Sequence, residues 1–328
     1  MSAPIIAFFN CAGGVGKTTV VYHLAWMFSD LGLHVLAADL DPQANLTTSF
    51  LGRYGLEISG EEAVPTIYTC VEPLLLGQGD MREAETWVIS KDVSLLVGDL
   101  RLSMFEDLLS TGWSERPGRQ PGGSVVTSTI WRILTQAAAG CSADVVLVDL
   151  GPNLGAINRA ALLAADYLVI PLAADRFSLQ GMRTLGPTIQ NWKQQWAQGC
   201  QRGTASASLP AGNTRPIGYI IQQRPVHLSY QFWVYEQSME RIPGEFRRSV
   251  LAKPEEPVKD DPWCLAILKH YHSLMSMAQE AQKPMFHLTV ADGAISSHFQ
   301  AAQSVGQEYK HLAERIAERA GLKLPYLS

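Results

Sequence analysis

From residue 5 to about residue 222, short runs of continuous hydrophobic residues alternate with longer stretches in which apolar positions recur every three or four residues. The runs are IIAFF (5–9), HVLAADL (34–40), VSLLVGD (93–99), DVVLVDL (144–150), YLVIPL (167–172) and PIGYII (216–221). None shows polar alternation, which suits strands covered on both faces, as in a parallel sheet. Between the first two lies a helix, Lys17–Leu31, with Val20, Leu24, Phe28 and Leu31 on one stripe and Gly32 as its stop. Strand, helix and strand at this spacing make a βαβ unit, and its repetition predicts an α/β fold with a doubly wound, mostly parallel sheet flanked by helices. After residue 225 the strand pattern stops and helices are expected at roughly 228–241, 262–281 and 294–320, forming a helical C-terminal layer. Thr111–Ser124, Gly199–Thr214 and Lys253–Pro262 concentrate Gly, Pro, Ser or charge and read as surface loops. The expected organisation is a single domain over 1–328, with a core at about 4–225 and a helical part at about 226–328.

Composition narrows the setting. The chain has 328 residues, 47% of them hydrophobic, enough to bury a large core. Its five cysteines (Cys11, Cys70, Cys141, Cys200 and Cys264) are scattered, a spacing that favours free thiols in a reducing, cytoplasmic compartment. The opening MSAPIIAFFN has no basic region and reads as a first strand, not a signal peptide. No apolar run approaches the ~20 residues of a membrane span. A net charge of −5 exerts no global pull on nucleic acid or anionic lipid, so either partner needs a local basic patch.

Chemistry concentrates at the carboxyl ends of three predicted strands. NCAGGVGKTT (10–19) places Gly13, Gly14, Val15 and Gly16 before Lys17, Thr18 and Thr19, between strand and helix. Glycines let backbone N–H groups approach phosphate oxygens, the helix start adds a favourable dipole, Lys17 is a point charge for β/γ-phosphates, and Thr18 can ligate Mg²⁺. The full G-x-x-x-x-G-K-[ST] pattern is not met, because its first glycine position is Cys11. The second strand ends in DLDPQANLT, where one of Asp39 and Asp41 can bind Mg²⁺ through water and another can orient an attacking water. DVVLVDL ends at Asp149, a Walker-B-like carboxylate, and Gly151 of the following Gly151-Pro152-Asn153 offers an N–H to a γ-phosphate.

AGGVGKTT, DLDPQANLT, DLGPNLGAINRAAL and ADYLVIPL resemble the ParA/MinD family of deviant Walker-A ATPases, from about residue 4 to 190 and more loosely beyond. The resemblance implies a P-loop NTPase fold and ATP with Mg²⁺ as cofactors. Lys17, Thr18 and Thr19 would bind phosphates and metal, Asp39 would support the metal, Asp41 would position water, and Asp149 would be the Walker-B carboxylate. It also implies a homodimer sandwiching ATP, slow hydrolysis that resets the dimer, a cargo adaptor of ParB type, and nonspecific DNA of the nucleoid as the track. Plasmids, chromosomes or carboxysome-like bodies are the cargo of such positioning ATPases. The family's first loop lysine, which reaches the partner's nucleotide, is here Ala12. Its loss is similar to the carboxysome-positioning branch, and it puts cross-bracing and hydrolysis rate in question. Arg159 and Arg176 are placed to supply the missing charge, or are solvated or salt-bridged arginines.

Two stretches are either DNA contacts or ordinary solvated helix faces, the second reading favoured for the C-terminal one. Arg241, Arg247, Arg248 and Lys253 outnumber Glu245 by three charges, and Lys310, Arg315, Arg319 and Lys323 outnumber Glu314 and Glu318 by two. A MinD-like membrane helix needs a broader apolar face than HLAERIAERAGLKLPYLS offers. Gln222 and Gln223 end PIGYIIQQ, where they either meet the adenine edge or close a strand. Met275, Met277 and Met285 read as packing residues. The stretch from Asp149 to Arg159 carries no cysteine, which excludes an iron–sulfur reductase of this superfamily. A nucleotide-binding scaffold that barely hydrolyses is the competing reading.

Overall fold

The computed structural model describes residues 2–52, 65–114, 121–202, 209–223, 229–254 and 261–325. Parts of the three predicted loops (115–120, 203–208 and 255–260) and the expected core boundary near 225 lie outside these residues.

Eight strands form one sheet in the order β3-β4-β2-β5-β1-β6-β7-β8. They are β1 (Ile5–Phe8), β2 (Val35–Asp39), β3 (Trp87–Val88), β4 (Val93–Leu96), β5 (Val145–Asp149), β6 (Tyr167–Ala173), β7 (Arg215–Gln222) and β8 (Cys264–Leu268). All pairings are parallel except β3 with β4. The six strands predicted from continuous apolar runs are present, and the chain winds outward from β1 in both directions, as a doubly wound sheet requires.

Among the described residues, ten α-helices cover the two faces. Against one face lie α1 (Lys17–Asp30), α2 (Asn45–Leu51), α9 (His272–Ala281) and α10 (Ser296–Ala320). The other carries α3 (Ile67–Leu75), α4 (Phe105–Ser114), α5 (Pro121–Gly140), α6 (Ala156–Ala164), α7 (Arg176–Arg202) and α8 (Ser229–Glu245). The apolar stripe of α1 is fully covered: Val20, Leu24 and Phe28 are each 0% exposed. Gly186 inside α7 leaves room for the backbone of Ser249, where α8 runs into a π-helical turn, Phe246–Val250.

Three expectations change. The segment read as a helix over 262–281 begins with β8: CLAIL is five residues long, too short for a helix, and the open edge of β7 offers it a ladder. The C-terminal part is therefore woven into the sheet, and its last helix packs on α1. The loop read at Thr111–Ser124 holds the end of α4 and the start of α5, where Pro121 occupies the first turn that a proline tolerates. α7 likewise runs on to Arg202, past the predicted loop start at Gly199.

His23 shows how α1 is locked to the C-terminal layer. Its ring is 2% exposed, its Nδ1 lies 2.8 Å from the Thr19 carbonyl, and its Nε2 accepts from the Met285 N–H at 3.2 Å. Tyr309 of α10 stacks on it at 4.9 Å. The Met285 bond requires an unprotonated Nε2, so Nδ1 carries the proton. Burial pushes the pKa from 6.5 down to about 4. A base with a depressed folded pKa stabilises the fold fully above pH 6.5, and that contribution is lost as pH falls towards 4. We therefore expect the stability advantage of the native chain over His23→Asn at pH 7 to shrink by ~2–3 kcal/mol at pH 4.5. Urea unfolding at the two pH values measures it; an unchanged advantage would refute the neutral-histidine lock.

Candidate functional site

Register decides the site before any side chain does. β5 lies between β2 and β1, with Asp39 paired to Asp149 and Asp149 paired to Phe8. The carboxyl ends of three consecutive sheet positions thus deliver two aspartates and the glycine loop to one spot.

The loop between β1 and α1 is held from below by Asn10, which is 1% exposed. Its Nδ2 donates to the Pro171 carbonyl at 2.7 Å, and its Oδ1 accepts from the Ala12 N–H at 3.0 Å. Gly14 and Gly16 take φ of 67° and 76°, the left-handed region that favours glycine. Gly16 is the N-cap of α1 and supplies no side-chain cap, which leaves first-turn N–H groups facing the loop's concavity. Lys17 is buried, and its Nζ donates to the Asn10 and Ala12 carbonyls, each at 3.3 Å. Burial lowers its pKa, while Asp149 and Asp41 pull the other way.

Asp149 and Asp41 act on this lysine, and Asp39 lies buried beside both carboxylates. Thr18 Oγ1 donates to Asp149 Oδ2 at 2.6 Å, and Asp149 Oδ1 is buried without a hydrogen-bond partner. Asp39 accepts from the Thr47 N–H at 2.7 Å and from the Asp41 N–H at 3.3 Å. Thr47 in turn accepts from the Gly98 N–H at 2.8 Å, which ties the β2 loop to the β4 loop. Asp41 is 7% exposed and accepts from the Gln43 N–H at 3.0 Å. Gly151 leaves room for that carboxylate: a Cβ there would lie 3.2 Å from Asp41 Oδ1. Burial, and then the neighbouring Asp39 charge, hold the Asp149 carboxyl well above the ordinary range. Burial pushes Asp39 up to about 7, against the Thr47 hydrogen bonds that favour its charge. Among the described residues no three His, Cys, Asp or Glu side chains are grouped to hold a metal ion by themselves. An orphaned carboxylate oxygen beside a threonine hydroxyl instead fits Mg²⁺, a cation that keeps waters and shares phosphate ligands.

Beside the loop opens a cavity of about 510 Å³, lined among others by Val15, Thr19, Gln222, Gln223, Tyr271 and Tyr309. Gln222 folds over Gly16, where a Cβ would lie 3.0 Å from its Cδ, and its Nε2 is buried without a partner. The far wall is missing from the sequence reading. Tyr271 donates to Glu308 at 2.9 Å, and both line the cavity with Met275 and Met285, methionines read only as packing. No spacing signal marks these residues, because α9 and α10 reach the cavity only through tertiary packing.

The structure also sorts the predicted basic residues. Arg159 lies over the Trp113 ring at 4.4 Å and the Trp192 ring at 6.0 Å, away from the loop, whereas Arg176 is exposed at the first turn of α7. Arg247 is almost buried and pairs with Asp261 at 3.4 Å; Arg248 pairs with Glu245 at 2.6 Å. Lys253 lies over Trp263 at 5.7 Å, and Arg241 is exposed. Arg315 and Arg319 donate to the Pro262 carbonyl, a structural use of two C-terminal charges.

Comparison with known proteins agrees with this geometry. A family model described as an AAA domain matches residues 3–201. The chain is 31% identical over 211 residues to protein IncC of Escherichia coli, an alignment covering 63% of this chain and 51% of IncC. It is 28% identical over 186 residues to the chromosome partitioning protein ParA of Caulobacter vibrioides, covering 57% and 62%. The chain thus spans about half to two thirds of the length of the curated relatives it matches. The ATP complex of a McdA variant from Cyanothece shares the fold, with a TM-score of 0.61 at 18% identity over 98% of both chains.

The buried carboxylates predict a pH signature for the nucleotide-free chain. A carboxyl with a raised folded pKa stabilises the fold below its ordinary value of 3.8, and that contribution is lost as pH rises through the folded pKa. Asp149→Asn should therefore raise Tm by ~2–4 °C at pH 8 and by less at pH 5. Calorimetric scans in EDTA decide; an equal change at both pH values would show that charge is not the cause.

Proposed function

The chain belongs to the ParA/MinD family of P-loop ATPases, and on that premise we propose that it is an ATP-dependent positioning switch. The observation that carries this reading is the meeting of buried Lys17, the Thr18–Asp149 bond at 2.6 Å and the unpartnered Asp149 oxygen at the mouth of a glycine loop. A magnesium nucleotide brings to such a site the positive charge its carboxylates lack and the anionic oxygens that backbone N–H groups of a glycine loop bind.

In this reading the loop from Gly13 to Thr19, including Val15, cradles the phosphates, with Lys17 as the cation beside them. Thr18, Asp39 and Asp149 hold Mg²⁺ directly or through water, and Asp41 orients the attacking water. Gly151 meets the terminal phosphate and Gln222 the adenine. The orphaned Gln222 amide on the cavity wall supports the last assignment. Hydrolysis is slow, because Ala12 leaves the loop without a second cation. Arg176 is the better remaining candidate for that charge, since Arg159 is engaged by two tryptophans.

Two copies associate around ATP, bind nonspecific DNA and answer to a cargo adaptor, at the nucleoid of the cytoplasm; sheet and C-terminal helices act as one domain. Relatives named for chromosome partitioning support this role. Arg241 and Lys253 are the more available of the four proposed DNA contacts, because Arg247 and Arg248 are ion-paired. No described helix is long and apolar enough to cross a membrane.

Calorimetric titration with ATP and Mg²⁺ tests the core of the proposal: the native chain should release binding heat, and Lys17→Ala should lose it. Identical traces would refute the site. DNA binding should appear with ATP, be absent with ADP, and fall steeply between 50 and 200 mM salt, roughly 10³-fold or more if six phosphates are contacted. Binding indifferent to nucleotide would refute the switch.

A further inference from the structure

The segment after β5, Gly151-Pro152-Asn153, faces Asp41 on one side, where an added Cβ on Gly151 would lie 3.2 Å from Asp41 Oδ1, and on the other is bonded by a buried side chain. That side chain is Asn158, in the first turn of α6 and 2% exposed. Its Nδ2 donates to the Gly151 carbonyl at 2.8 Å and the Asn153 carbonyl at 2.6 Å, with Asn153 Oδ1 at 3.1 Å. A carboxamide nitrogen carries two hydrogens, so two carbonyls two residues apart are gripped by one rigid planar group. A serine or threonine would offer one donor. An aspartate would offer none and would add another carboxylate to a crowded site.

The grip matters because α6 is itself fixed. The Glu106 carboxylate of α4 accepts from the Ala156 and Ile157 N–H groups and so caps α6 across the helix boundary. Gly155 makes room for that carboxylate. One turn on, Arg159 stacks on Trp113 of the same α4 at 4.4 Å. The chain of contacts thus runs from α4 through α6 and Asn158 to Gly151, and across the gap to Asp41. From α4 to the turn the links are hydrogen bonds and a packed ring, so a shift of the 151–153 turn requires breaking the Asn158 bonds; the last step, to Asp41, is proximity alone.

We propose that Asn158 is a positioning residue for hydrolysis: it fixes the Gly151–Asn153 turn against Asp41. Its loss slows the chemical step and leaves nucleotide binding, which is the task of Lys17 and the glycine loop, in place. This rests on the ATPase reading above. It assigns to Asn158 a role that no feature of the strand-end motifs marks.

The test uses the full chain with Mg²⁺. Asn158→Asp preserves shape and removes both donors. Steady-state hydrolysis should show kcat lowered by about tenfold or more with KM for ATP within about threefold, the pattern of an interaction that acts only in the reaction. Calorimetric Kd for a non-hydrolysable ATP analogue should stay within about the same factor. If Asn158→Asp does not fold, Asn158→Ser, with one donor and no added charge, carries the same comparison. Unchanged kcat, or loss of kcat and analogue affinity in parallel, would overturn the proposal in favour of a purely structural asparagine. A native chain that binds no ATP would sink the parent reading and this one with it. A native chain that hydrolyses ATP beside an equally active variant would sink this one alone.

Discussion

Everything at the carboxyl end of the sheet answers to one electrostatic constraint: Asp39, Asp41 and Asp149 are buried close together, with one buried lysine acting on Asp149 and Asp41. Parallel pairing in register makes the crowding unavoidable, since Asp39 and Asp149 are direct neighbours on adjacent strands. In a low-dielectric setting, like charges this close resist joint ionisation, and the raised carboxyl of Asp149 expresses that resistance. The same geometry suits cations that arrive from outside, and on the proposed reading a metal–nucleotide complex supplies them.

The loops that hold this charge are tied by buried side chains bonding to the backbone of a neighbouring segment. Asn10 reaches Pro171, Thr47 accepts from Gly98, and Asn158 spans Gly151 and Asn153. Each ligature joins segments that follow different strands. The loops of the site are thereby tied to the helices and strands that carry its lysine and two of its aspartates. Glycine enters where these segments touch: Gly98 backs on Asp39 and Gly151 on Asp41.

Much of this was legible in the linear chain. Fully buried parallel strands leave continuous apolar runs, and the phosphate loop and strand-end aspartates carry their chemistry in their residue types. What escaped did so for identifiable reasons. β8 is five residues long, and its partner β7 lies some forty residues upstream, so local pattern favoured a helix. The basic stretch 241–253 looked open because its counter-charge on Asp261 lies beyond it, and because the count could not show Arg248 folding back on Glu245. Tyr271 and Glu308 reach the cavity only once two distant helices pack together. Asn158 sat inside a motif already singled out, but its acceptors are backbone atoms, which have no letter in the sequence.

The docking of the C-terminal helix on α1 has a consequence for biosynthesis. His23 waits for Met285, 262 residues further along the chain, before its ring is satisfied. At ribosomal speeds of ~5–20 residues per second, that interval is roughly 13–50 s. Throughout it the nascent chain carries the helix of its phosphate loop with one apolar flank uncovered. The flank is closed only when the C-terminal helix docks on it.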